Sequence, residues 1–352
     1  MKASKKLGLG IVSLVAVMSL AACGGSTKSS STGKTDAAHS AALITDTNGV
    51  DDKSFNQSAW EGMKKWGKSE GLKEGKGGYA YFSSSSESDY KPNVDQAVAA
   101  GFKTIYGVGY LLKNTIEESA SKNADTNFVI IDDVITGKKN VVSATFKDNE
   151  SAYLAGIAAA KSTKTKQVGF IGGIEGEVID RFEAGFKAGV KSVDASITVK
   201  SQYAGSFGAP DKGKTIAAAM YQSGSDIIYQ AAGATGAGVF SEAKAINTQG
   251  DKTVWVIGVD RDQQADGSYT AKDGKKANFT LTSTVKGVNQ AVVDINTQAK
   301  KDQFPGGKHL VYGLKENGVS LTDGQLSDTV KAAVKEAKEK IISGAITVPE
   351  KP

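Results

Sequence analysis

Short apolar runs alternate along most of this chain with longer stretches whose apolar residues recur at helical spacing. The runs at 41–45, 79–82, 104–108, 128–131 and 141–146 form one series. Those at 167–171, 197–203, 226–231, 254–259, 279–283 and 309–312 form a second. Between them lie helical patterns near 54–69, 90–101, 111–122, 148–161, 177–192, 213–223, 237–247, 286–300 and 326–342. Strands separated by helical segments imply right-handed βαβ units and parallel sheets. So many strands fit two sheets better than one. A chain of 352 residues is long enough for two such lobes. The series changes near Lys147–Asn149. The expected lobes are 41–147 with 263–306, and 148–262 with 307–352, with crossings near Lys147, Arg261–Asp262 and Gly306.

The N-terminus reads as a processing signal. Lys2, Lys5 and Lys6 precede an apolar run from Leu7 to Leu20, which ends in Leu20-Ala21-Ala22-Cys23. That run is short for a spanning helix. The chain's single cysteine sits at the cleavage position, and the segment resembles a bacterial lipobox. Residues 1–22 are therefore expected to be a lipoprotein signal peptide, and Cys23 a lipidated N-terminus. Residues 23–40, rich in Gly, Ser, Thr and Lys, then serve as a flexible tether. One cysteine excludes an internal disulfide and a multi-cysteine metal cluster, and two histidines leave little for a zinc site. The net charge of +5 shrinks once the signal is removed, because 40 basic residues then face 38 acidic ones. A nearly neutral chain carries no footprint for nucleic acid.

Several strands finish on a polar residue or a glycine turn. Thr45 leads to Asp46, Ile131 to Asp132-Asp133, Ala232 to Gly233 and Val259 to Asp260. Ligands of open α/β sheets bind outside the carboxyl ends of the strands, so two facing sheets would line a cleft with these groups. Any one Asp could equally be a turn or cap residue, and Asp51-Asp52 reads as the cap of the helix beginning near Ser54. Phe55 and Phe207 each lie beside a strand-end loop among small residues, one in each expected lobe. Two such rings could sandwich a flat ligand.

Two glycine motifs compete for attention. Gly208 to Thr215 matches the P-loop pattern, which would make the chain an NTPase. Against that, an exported chain meets little ATP, and Pro210 removes a backbone N–H that a phosphate cradle uses. Gly233-Ala234-Thr235-Gly236-Ala237-Gly238 opens a helix after a strand, but its glycine order is not the dinucleotide fingerprint. Tight packing and close backbone approach to a ligand both explain it. No carboxylate pair has a spacing that fixes it across a scissile bond, and no G-x-S-x-G occurs, so the sequence points away from an enzyme.

The run Asp46-Thr47-Asn48-Gly49-Val50-Asp51-Asp52-Lys53-Ser54-Phe55-Asn56-Gln57 resembles the opening signature of the basic membrane protein family of substrate-binding lipoproteins. Its nearest likeness is to the purine nucleoside receptor A type. Ile257-Gly258-Val259-Asp260 with Gln263, Ser283-Thr284-Val285-Lys286, and Phe182-Glu183-Ala184-Gly185-Phe186 resemble that family too. The resemblance implies a two-lobed type I periplasmic-binding-protein fold, each lobe a parallel sheet flanked by helices. It implies a monomeric lipoprotein on the outer face of the cell membrane that binds purine nucleosides and delivers them to the permease of an ABC importer. Neither a cofactor nor a metal is implied. Carried over by motif, Phe55 and Phe207 stack on the base, and Asp46, Asn56 and Asp132 bond its edge. Asp260, Lys286 and the backbone at Gly233 hold the ribose. A receptor for a sugar or small signalling molecule is the alternative on the same fold.

Overall fold

In the computed structural model, residues 39–250 and 252–352 are described. The expected signal peptide, Cys23 and the tether through residue 38 lie outside them. The tether was expected to run to residue 40, but the fold already holds His39 and Ser40. His39 Nε2 is 2.7 Å from Thr104 Oγ1, and the Ser40 carbonyl accepts from the backbone N–H groups of Lys103 and Thr104.

The elements run β1 (Ala41–Ile44), α1 (Phe55–Ser69), β2 (Tyr79–Phe82), α2 (Tyr90–Ala99), β3 (Thr104–Val108), α3 (Lys113–Lys122), β4 (Asn127–Ile131), β5 (Val141–Phe146) and α4 (Asp148–Ser162). They continue β6 (Gln167–Gly172), α5 (Glu177–Val193), β7 (Thr198–Tyr203), α6 (Pro210–Gln222), β8 (Ile227–Ala231), α7 (Gly236–Gln249) and β9 (Trp255–Gly258). A short hairpin, β10 (Ser268–Thr270) and β11 (Lys276–Asn278), precedes β12 (Thr280–Lys286), α8 (Val288–Lys300), β13 (His309–Tyr312), β14 (Val319–Leu321) and α9 (Asp328–Ile342). All nine expected helices are present. The hairpin and β14 are additions to the expected strands.

The strands form two six-stranded sheets, ordered β13-β5-β4-β3-β1-β2 and β14-β12-β9-β8-β6-β7. Within each, the first five strands occur in the same relative order, so one lobe repeats the other. Central strands read as unbroken apolar runs because helices cover both faces. Leu43, Tyr106 and Val129 enter one core layer, and Ile44, Ile105 and Phe128 the layer on the opposite face. Val168 and Tyr229 against Ile171 and Ile228 repeat this division in the second sheet.

The lobe boundaries differ from the expected ones at two of three crossings. The first falls at Lys147, between β5 and α4. Residues 263–306 were expected in the first lobe, yet β12 pairs in parallel with β9 and is the second sheet's own strand. From that stretch α8 and the segment after it, with Phe304 and Gly306, pack on the first lobe, and α8 lies so close that a Cβ on Gly62 of α1 would lie 2.3 Å from the Asn289 carbonyl oxygen. Residues 307–352 were expected in the second lobe, yet β13 pairs in parallel with β5. The chain therefore crosses at Gly287 and again between β13 and β14. The β10–β11 hairpin is an excursion within the second lobe.

Helix α4 follows the first crossing and is buried nearly all round, as expected of a helix with no polar face. Its neighbours are α5, α9, β12 and β14. Small residues let the backbones meet: a Cβ on Gly185 would come within 2.2 Å of the Asn149 carbonyl oxygen, and one on Gly189 within 2.1 Å of that of Tyr153.

Candidate ligand-binding site

The carboxyl ends of both sheets converge on one cavity. The first lobe supplies Asp46 after β1, Phe55 at the start of α1, Gly109 and Tyr110 after β3, and Asp132 after β4. The second supplies Phe182 on α5, Phe207 after β7, Gly233 after β8, Asp260 after β9 and Lys286 at the end of β12. Asp132 and Asp260 follow the corresponding strand in each lobe, and both have left-handed backbones, with φ of 69° and 65°. Asp tolerates that region better than most residues. Strained positions of this kind tend to gather at binding sites.

Segments of the two lobes meet along the cavity's rim. Ser54 Oγ donates to Asp260 Oδ2 at 2.5 Å, and Gln263 Nε2 donates to the Lys53 carbonyl at 3.1 Å. Lys53 pairs with Asp266 at 3.0 Å and Arg261 with Glu61 at 2.9 Å. These contacts hold the two lobes closed over the cavity.

Lys286 is 3% exposed and sits among anions and rings. Its Nζ donates to Asp132 Oδ2 at 2.6 Å and lies 3.3 Å from Asp148 Oδ1. The rings of Phe55, Phe146 and Phe182 surround it at 5.2, 5.1 and 5.6 Å, within cation–π range. Burial alone would depress its pKa, but Asp132, Asp148 and Asp260 together carry it above the ordinary value. Burial pushes Asp46 up to about 7, and the charge of Asp52 adds to this against the hydrogen bonds from Asn56 and Asn48. Burial likewise lifts Asp260 to about 7, with Lys286 and the Ser54 bond opposing. Near neutral pH both carboxyls can therefore either accept or donate a hydrogen bond.

Of the expected site residues, Asp46, Phe55, Asp132, Phe207, Gly233, Asp260 and Lys286 all line this cavity. Asn56 does not. Its Nδ2 donates to Asp46 Oδ1 at 2.8 Å and to Asp52 Oδ2 at 3.1 Å, so it stands behind Asp46 and orients it. Helix geometry is the reason, since neighbouring residues on a turn point about 100° apart, which turns residue 56 away from the direction of Phe55. Of the two neighbouring acids, Asp132 lines the cavity and Asp133 pairs with Lys113 at 2.8 Å. Asp52 caps α1, accepting from the backbone N–H groups of Ser54, Asn56 and Gln57.

Gly233 has φ of 56° and brings its backbone against Phe207, where a Cβ would lie 3.4 Å from that residue's carbonyl oxygen. The P-loop match does not form a cradle: α6 begins at Pro210, inside the pattern, and Lys214 is exposed. Gly213 instead faces the Thr235 carbonyl, which a Cβ would approach to 2.1 Å.

Tyr110 and Phe182 were missed. Tyr110 packs edge-on to Phe207 with centroids 6.3 Å apart. Its hydroxyl is buried without a hydrogen-bond partner among the described residues. Its signal was available in Gly107-Val108-Gly109-Tyr110, another strand that ends on a glycine and a polar ring. Phe182 lay in a family-like motif but on a helix, where core is the ordinary reading.

A family model described as ABC transporter substrate-binding protein PnrA-like (Bmp) matches residues 39–352. The ABC transporter nucleoside-binding protein BmpA of Lactococcus lactis subsp. cremoris is 52% identical over 348 residues, covering 98% of this chain and 99% of that protein. The CD4+ T-cell-stimulating antigen of Listeria innocua is 50% identical over 338 residues, 95% of each chain. Among solved structures, an ABC transporter solute-binding protein from Aeropyrum pernix K1 superposes with a TM-score of 0.76 at 26% identity, over 88% of this chain and 93% of that one. The fold is thus the two-lobed type I arrangement of periplasmic binding proteins.

Proposed function

The chain belongs to the Bmp family of PnrA-like ABC transporter substrate-binding proteins, and from that premise we propose that it captures purine nucleosides between its lobes and delivers them to the permease of an ABC importer. The observation that carries the reading is the make-up of one cavity. It joins aromatic rings from both lobes, Phe55 and Phe207, to the buried carboxylates Asp46, Asp132 and Asp260 and to Lys286. A purine presents two π-faces, and stacking on aromatics is worth roughly 1–3 kcal/mol per base. A ribose diol suits carboxylate acceptors, because charge-assisted hydrogen bonds are the stronger kind. In this reading Phe55 and Phe207 hold the base from either side, and Asp46 and Asp132 meet its edge. Asp260, Lys286 and the Gly233 backbone hold the sugar. Asn56 acts through Asp46.

The receptor works as a lipid-anchored monomer on the extracytoplasmic face of the membrane. Support for the anchor is the charged-apolar-small sequence of residues 1–22 ending at the lone Cys23. Among the described residues no helix is long and apolar enough to cross a membrane. Calorimetric titration of the purified protein with adenosine, guanosine, inosine, free purine bases and ribose tests the ligand class. Nucleosides should bind most tightly. Ribose that competes as well as a nucleoside would move the assignment to the sugar-receptor class.

A further inference from the structure

The groups around Lys286 come from both lobes, and sorting them by lobe reveals a division of labour. Asp132 follows β4, Phe55 opens α1 and Phe146 ends β5, so all three belong to the first lobe. Phe182 and Asp260 share the second lobe with Lys286, but among the described residues its ion pairs are with Asp132 and Asp148, and Asp148 is the one that is different. It opens α4, and α4 is packed backbone to backbone on α5 of the second lobe, the lobe that carries Lys286 itself. Asp148 is fully buried and does not line the cavity. Its Oδ2 lies 3.5 Å from Arg181 Nη2 of α5, again in the same lobe. When the lobes part, Lys286 leaves Asp132 and Phe55 behind, while Asp148 travels with it.

We propose that Asp148 is a positioning residue that keeps the Lys286 ammonium at its cavity-facing place in the open, empty receptor. Lysine has a long, flexible stem, and a compact ammonium released into water would lose that orientation. An anion fixed on its own lobe removes this cost before ligand arrives, which is how preorganisation raises affinity. Asp132 is then the partner found on closing, and Asp148 the one never lost. Arg181 adds a second positive charge beside Asp148, which helps keep its carboxylate ionised despite burial that lifts it to about 6.

Two experiments test this, and one needs no ligand. A crystal structure of the empty, open protein should show Lys286 Nζ still within about 4 Å of Asp148 and separated from Asp132. An ammonium that follows Asp132, or turns into solvent, overturns the proposal. The second is a double-mutant cycle read by nucleoside titration, and it rests on the nucleoside reading above. Asp148→Asn should weaken binding about tenfold in the native background, but less than about twofold when Lys286 is already Met. Equal losses in both backgrounds would mean that Asp148 acts only through general stability, and would refute its role through Lys286. If Asp148→Asn does not fold, Asp148→Glu serves in the same cycle, with a loss of about threefold that likewise vanishes beside Lys286→Met. A native protein that binds no nucleoside would overturn the function assignment, while the open structure would still decide the role of Asp148.

Discussion

Raising the pH should open the empty receptor. In the closed arrangement Asp46 and Asp260 are buried, and each has its carboxyl raised from 3.8 to about 7. Opening returns both to water and towards the ordinary value. The closed form therefore binds more protons than the open one between those limits. Closure is favoured in acid, and that advantage is lost as the pH rises through about 7. One unit of pKa difference is worth about 1.4 kcal/mol, so a difference of about three units sets a ceiling of about 4 kcal/mol for each carboxyl. Even about 2 kcal/mol, a quarter of the ceiling for the pair, changes the closed-to-open ratio about thirtyfold. Small-angle scattering of ligand-free protein at about pH 5.5 and about pH 8.5 should show a larger radius at the higher value. The Asp46→Asn/Asp260→Asn double variant should lose most of this response. A radius that ignores pH, or a double variant that responds like the native protein, would refute the linkage.

Phe55→Ala and Phe207→Ala should each weaken nucleosides and free bases alike by roughly 1–3 kcal/mol in calorimetry, the range for base–aromatic stacking. Asp260→Ala should cost ribosides about 1.5–3 kcal/mol and spare free bases, as for a hydrogen bond to a charged group. Lys214→Ala, on an exposed stretch of α6, should leave nucleoside affinity unchanged, and neither protein should hydrolyse ATP; an ATPase lost on substitution would revive the P-loop reading. Cys23→Ser should abolish fatty-acid labelling, and a variant that still labels would exclude the lipobox.

The sequence made the lobes legible because a parallel sheet buries both faces of its strands. Runs such as Phe128–Ile131 and Ile227–Ala231 stand out against the helices around them. It grouped the β12 run with β9 yet drew a lobe boundary between them, and it did not reveal that β13 belongs with β5, because pairing between strands so far apart in the chain is a long-range choice. The cavity-lining acids were visible as strand-end residues, which is why Asp46, Asp132 and Asp260 could be named together. Asn56 was misplaced because a run of neighbouring residues says nothing about which side of the first helical turn each occupies. Asp148 stood at a recognised crossing, yet its meaning depends on Lys286, 138 residues away, and on which lobe α4 rides.

Three crossings side by side restrict motion more than one would. The Gly287 N–H donates to the Gly318 carbonyl at 2.8 Å, and the Lys147 N–H to the Tyr312 carbonyl at 2.9 Å, so the three connections are tied to one another. A single connector would let the lobes swivel and slide. A band of three, stitched across its width, resists twist and shear and leaves bending as the soft direction. Each closure then follows nearly the same arc. Asp132 meets Lys286, and Ser54 meets Asp260, without a search through misaligned encounters. The receptor's geometric fidelity is thus a property of its hinge as much as of its cavity.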